Sequence, residues 1–263
     1  MLRPFLRISY DHCYYMPGIL EICCTSFESA EIAAEGGADR IELCDNLFEG
    51  GTTPSAGMIR QIKDKVDIGV YVIIRPRGGD FVYSADEYMI MQDDIKLCRE
   101  IGVDGIVSGV LLANGDIDVE RTKRLVGLAG EMDFTFHRAF DLVRDPEKSL
   151  QDVISTGASR ILTSGLQNNV VQGREMLKNL VELAGENIKI MAGGGLKSSN
   201  IEDIIDNTGC REFHTTAKVW VDSRFSYQSD VKMNGLADIP EDKLMRASIE
   251  EVIKLRSIID DKI

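Results

Sequence analysis

Short runs of apolar, mostly β-branched residues recur at 19–24, 39–44, 69–74, 105–111, 133–137, 159–163, 188–192 and 212–216. Each predicts a strand covered on both faces, because a short continuous apolar run bounded by turn residues leaves no face for water. Between these runs lie amphipathic helical patterns such as "DEYMIMQDDIKLCREIG", "DPEKSLQDVISTG" and "GREMLKNLVELAG". Most open on Ser, Asp or Asn and close on Gly, as helix caps require. Strict alternation of strand and helix forces parallel pairing, since parallel neighbours need a crossover between them. Eight such units predict a single-domain α/β protein, a (β/α)8 TIM barrel. A doubly wound open sheet is the alternative, but no strand here runs directly into G-x-G-x-x-G, and the "AGGGL" run follows the seventh strand, not the first. The segment "PEDKLMRASIEEVIKLRSIIDDKI" predicts an extra C-terminal helix. Residues 16–263 are thus assigned to the barrel, and residues 1–15 to a poorly ordered N-terminal extension.

Side chains on a strand alternate between faces, so residues two apart look the same way. Glu21 and Cys23 therefore share a face of the first strand, and Glu42 and Cys44 a face of the second. The same parity groups Arg75 with Arg77 on the third, Thr135 with His137 on the fifth and Glu212 with His214 on the eighth. Pointed into a barrel, these residues form a polar interior that is tenable only as a paired network. Arg75 is the expected partner for Glu21 or Glu42. Barrel chemistry collects at the C-terminal ends of the strands, where the Gly-rich loops "DNLFEGGTTPS" and "RPRGGDFVYS" follow the second and third strands.

Composition narrows the classes. The chain has 263 residues and a net charge of −13, which disfavours a nucleic-acid partner. No apolar run reaches the eighteen or so residues of a membrane helix, and residues 1–15 lack the apolar core and cleavage site of a secretory signal. Met16 is an alternative start to Met1. Six Cys without framework spacing suit reduced thiols in the cytoplasm.

The stretches "EICCTS", "GADRIELC", "EGGTTPS", "IRPRGGDFVYS", "TFHRAFD", "RILTSG", "AGGGL" and "EFHTTA" together resemble the CutC family, named for copper homeostasis. The resemblance spans most of 19–218 and implies a cytoplasmic barrel, usually a homo-oligomer (a dimer or tetramer), that binds copper. It makes Cys23 and Cys44 the candidate Cu(I) ligands. Thr follows His214 in "HTTAK", so the eighth strand offers no third thiol. Strand spacing lets two thiols at equal height converge on one soft ion, form a disulfide, or remain free. Cys24 points the other way and reads as core.

A second function class stays open beside copper binding: a barrel enzyme, of lyase, isomerase or hydrolase type, acting on a small anionic or phosphorylated metabolite. Its substrate-binding candidates are Glu21, Arg75, Arg77, Asp80, Arg138 and the turn Gly193, Gly194, Gly195. Its general acid and base would come from His137, Glu42, Glu212 and His214. Lys218 is a further contact for an anion. A scaffold role is compatible with the pattern and predicted by nothing in it.

Overall fold

The computed structural model describes residues 17–227, 231–235 and 239–263. The expected N-terminal extension, residues 1–15, lies outside the described residues. Eight parallel strands close a barrel in chain order: β1 (Ile19–Cys24), β2 (Arg40–Leu43), β3 (Gly69–Ile73), β4 (Gly105–Ser108), β5 (Asp133–Phe136), β6 (Arg160–Thr163), β7 (Lys189–Gly193) and β8 (Glu212–Thr215), with β8 pairing back to β1. The helices α1 (Phe27–Glu35), α2 (Ala56–Lys65), α3 (Ala85–Ile101), α4 (Val119–Ala129), α5 (Pro146–Thr156), α6 (Arg174–Ala184) and α7 (Ile201–Thr208) follow the first seven strands. The predicted (β/α)8 TIM barrel is the fold that forms.

Local chemistry sets the helix boundaries. Ser84 caps α3 by accepting from Glu87 N–H while Glu87 answers the Ser84 backbone, and Gly102, at φ 82°, ends the helix in the left-handed region. Asp145 caps α5, whose first residue is Pro146.

The C-terminal segment differs from the single helix expected of it. It first forms β10 (Lys243–Ala247), which pairs antiparallel with β9 (Lys218–Asp222) as a ribbon outside the barrel. Only then does the expected helix, α8 (Ile249–Lys262), begin at its Ser248 cap. The sequence "KLMRA" has no strict two-residue alternation to mark a strand, and the helical pattern downstream concealed it. α8 packs between α7 and α1 and completes the outer ring.

The hydrophobic core lies between strands and helices. Ile22, Ile41, Leu43, Val72, Phe134 and Phe213 point outward and are fully or almost fully buried there. Each stabilises the fold by about 1.5–3 kcal/mol relative to exposure. Cys24 joins this outer core, as its parity predicts. The barrel interior is different in kind, with only a small apolar cluster of Cys23, Cys44, Tyr71, Ile73 and Val107. Gly105 makes room for it, since a Cβ there would come within 2.2 Å of the Tyr71 ring. Much of the rest of the interior is ionic, with Met191 and Leu162 buried beside it.

Candidate functional site

The lower half of the barrel is held by two arginines that face each other across it. Arg40 is register partner to Glu21, donates to its carboxylate at 2.6 Å, and also reaches Glu212. Arg160 donates to Glu212 at 2.9 Å, Asp133 at 2.9 Å and Thr135 at 3.2 Å. The Tyr71 ring lies between the two guanidinium groups, 5.0 Å from one and 5.2 Å from the other, and its hydroxyl donates to Asp133. Burial favours a neutral Glu21, but the Arg40 charge and the bond from His214 outweigh it and hold the carboxyl near a pKa of about 2. Glu212 therefore belongs to this lower network and does not line the mouth.

The expected Arg75 partnership with Glu21 or Glu42 does not form. β3 ends at Ile73, so Arg75 and Arg77 stand in the loop beyond it and no longer follow strand parity. Arg75 instead donates to three loop carbonyls, those of Glu49 at 2.7 Å, Gly51 at 2.8 Å and Gly79 at 2.7 Å. It ties the loops after β2 and β3 together. Arg77 pairs with Glu87 at 2.5 Å and Asp80 at 3.1 Å, which keeps Arg77 and Asp80 off the cavity wall.

Above the ionic layer opens a cavity of about 740 Å³ at the C-terminal ends of the strands. Cys23, Glu42, His137, Arg138, Gly194, Gly195, His214 and Lys218 all line it. Gly194 and Gly195 turn there with φ of 108° and 74°, conformations that favour glycine. Gly193 sits at the end of β7 behind that wall, where a Cβ would come within 2.4 Å of Leu162. Arg138 is held by Asp141 at 2.7 Å and Ser164 at 2.8 Å.

Two groups of potential metal ligands share Glu42 at this mouth. Cys23, Glu42 and Cys44 form one, and Glu21, Glu42 and His214 the other, each with its donor atoms within 4.8 Å of one another. The Cys23 and Cys44 sulfurs are 3.4 Å apart, hydrogen-bonded and not joined in a disulfide. Their mutual hydrogen bond and then burial push the Cys23 thiol well above its ordinary range, so it is protonated at neutral pH. Nδ1 of His214 lies 2.7 Å from Glu21, and Nε2 lies 3.8 Å from Glu42. Burial opposes the imidazolium, yet Glu42 and Glu21 raise the His214 pKa above its ordinary value. Burial in turn raises the Glu42 carboxyl, against the pull of His214. Soft thiol donors and a mixed oxygen and nitrogen group thus stand side by side.

Arg40 and Arg160 escaped the sequence reading, although a signal was present. "GADRI" at 37–41 and "GASRI" at 157–161 nearly repeat each other, and both deliver Arg to the first position of a strand. Strand parity extended two residues back from Glu42 reaches Arg40.

Comparison with known proteins agrees with this architecture. The sequence model of the CutC family matches residues 18–219. A family protein CutC of Chromobacterium violaceum is 46% identical over 245 residues, 93% of this chain and 99% of that one. The human copper homeostasis protein cutC homolog is 42% identical over 241 residues, 91% of this chain and 88% of its own. A crystal structure of CutC from Streptococcus agalactiae superposes with a TM-score of 0.72 at 37% identity, covering 76% of this chain and 98% of that one. Thiamine phosphate pyrophosphorylase from Pyrococcus furiosus, 15% identical with a TM-score of 0.57 over 94% of this chain and 96% of its own, is similar in fold alone.

Proposed function

The chain belongs to the CutC family of copper homeostasis proteins, and from that premise we propose that it binds Cu(I) through Cys23 and Cys44 at the mouth of the barrel. The observation that carries the proposal is the pair of sulfurs 3.4 Å apart and not joined in a disulfide, with Glu42 beside them and Cys23 open to the cavity. Soft thiolates select Cu(I) over hard cations. The ion displaces the thiol protons, and its charge replaces the stabilisation that the thiolates lack in a buried site. Glu42 would neutralise the remaining positive charge, and His214 would hold Glu42 in place.

The arrangement suits an ion that is kept as well as one that is passed on, because the thiols sit at strand ends beneath a cavity and not on a projecting loop. Reduced thiols fit a cytoplasmic location. Among the described residues no helix is long and apolar enough to cross a membrane. The protein is further proposed to assemble as a dimer or tetramer.

Anaerobic titration of the reduced protein against a Cu(I) chelator tests the copper site. Cys23→Ser, Cys44→Ser and the double variant should weaken Cu(I) binding alike, since neither thiol holds the ion alone. The loss should be at least the ten- to hundredfold that removing a mere supporting partner of a metal site costs. Unchanged affinity in the double variant would leave the thiols as core residues.

A further inference from the structure

Beside the cavity, at the ends of β3 and β5, stand polar atoms that copper binding leaves unused: His137 lines the cavity, and Arg75 lies against the lining residue Phe81. Nε of Arg75 and Nε2 of His137 are buried without a hydrogen-bond partner. Buried polar groups in native proteins nearly always have partners, so orphans gathered in one neighbourhood point to a partner from outside the chain. They are neighbours here. The Phe81 ring lies against both, 4.9 Å from the Arg75 guanidinium and 4.7 Å from the His137 imidazole. The Tyr83 hydroxyl sits by the same guanidinium: burial raises it to a pKa of about 12, against the charge of Arg75 and a hydrogen bond with it.

The His137 orphan is a donor. Its Nδ1 accepts the Ala139 backbone N–H at 3.3 Å, which places the proton on Nε2. Burial, followed by the Arg75 charge, lowers its pKa to about 3, so the ring stays neutral at physiological pH. Arg75 is fixed by its three carbonyl bonds and presents Nε–H in a set direction. Gly109, just past β4, allows the ends of β3 and β5 to meet, since a Cβ there would come within 2.8 Å of His137 Nδ1. Phe81 and His137 both line the cavity, as do Lys197 and Lys218 beyond them.

Two N–H donors and a positive charge, with no competing carboxylate bonded to them, suit an acceptor that is itself anionic and carries two oxygens. We propose that the barrel mouth binds a small organic acid, one of whose carboxylates accepts from Arg75 Nε–H and His137 Nε2–H when the Phe81 ring turns aside. Lys197 and Lys218 give the same cavity a second attraction for negative charge, which favours a dicarboxylate. His137 then acts as a fixed donor and not as a base. Its His137 donor, at the end of β5, stands across the eight-stranded barrel from Cys23 on β1, while Arg75 follows β3, next to the β2 end that carries Cys44.

The chain has three His, so the imidazole signals of protein labelled with ¹⁵N-histidine are few enough to assign with a His137→Phe variant. Succinate is the probe, and uncharged succinamide the control. Succinate should shift the His137 Nε2–H signal saturably while Nδ1 stays unprotonated, and succinamide should not. Phe81→Ala should bind succinate about tenfold more tightly, because the competent state no longer waits on the ring. His137→Phe should bind about tenfold more weakly, as for one lost hydrogen bond to a charged group. The Cys23→Ser, Cys44→Ser double variant should bind succinate like the wild type, whatever becomes of its copper. A wild-type His137 signal unmoved by a large excess of succinate, moved equally by succinamide, or a weaker Phe81→Ala would overturn the proposal.

Discussion

Replacing Arg40 with Met should cost the fold about 3–5 kcal/mol, the penalty for leaving a buried charge without its partner. Arg40 is 6% exposed and answers both Glu21, which is 0% exposed, and Glu212 at 7%. Met would fill much of the space but leave Glu21 with only His214 and Glu212 with only Arg160. Lys should recover little, because one ammonium cannot reproduce a fork that addresses two carboxylates and packs on the Tyr71 ring. A variant that combines Arg40→Met with Glu21→Gln and Glu212→Gln should regain much of the loss, since removing a buried ionic group together with its partner is far milder than breaking it. Urea unfolding of the wild type and the three variants gives the measurement. A loss below about 1 kcal/mol for Arg40→Met would mean that water or a neighbour already neutralises Glu21.

The barrel was legible because its signal is repeated eight times, and errors at single elements do not disturb the alternation. The interior was legible only where strand parity applied within the strands. Glu21, Cys23, Glu42 and His214 obey it and all point into the barrel, where Cys23, Glu42 and His214 line the mouth and Glu21 lies beneath them. Arg75 and Arg77 lie two and four residues past the end of β3, where backbone direction is set by loop hydrogen bonds, so their placement could not follow from alternation. Arg40 failed to register for the opposite reason. A charged residue opening an apolar run reads as a boundary, whereas register with Glu21 makes it the centre of the network. β10 was hidden because an amphipathic helix follows it after a single capping residue, Ser248. The approach of the two sulfurs depends on where loop and strand set them, and the diagonal pairing of β1 with β2 brings them to 3.4 Å.

The largest pH effect should come from His137. Its folded pKa of about 3 lies below the ordinary 6.5, so between these values the unfolded chain binds a proton that the folded protein refuses. Stability from this group is therefore full above about pH 6.5 and declines as pH falls, by about 1.4 kcal/mol for each unit. By about pH 4 the loss should reach about 3 kcal/mol. His214 works in the other direction: its raised pKa contributes stability that is present below the ordinary value and lost as pH rises through the folded one. Glu42, also raised, acts in the same sense at lower pH. The wild type thus balances one histidine that resists acid against a second that welcomes it. In a His137→Leu variant the opposition disappears, and acidification from neutrality to about pH 5 should stabilise the protein where it weakens the wild type. Glu21, held near 2, begins to withdraw its contribution only as pH drops below about 4.5, equally in both proteins, so the difference between their unfolding free energies isolates His137. Urea midpoints measured from about pH 7 to 4 decide the matter, with parallel profiles for wild type and variant showing that His137 takes up its proton in the folded barrel as readily as in the unfolded chain.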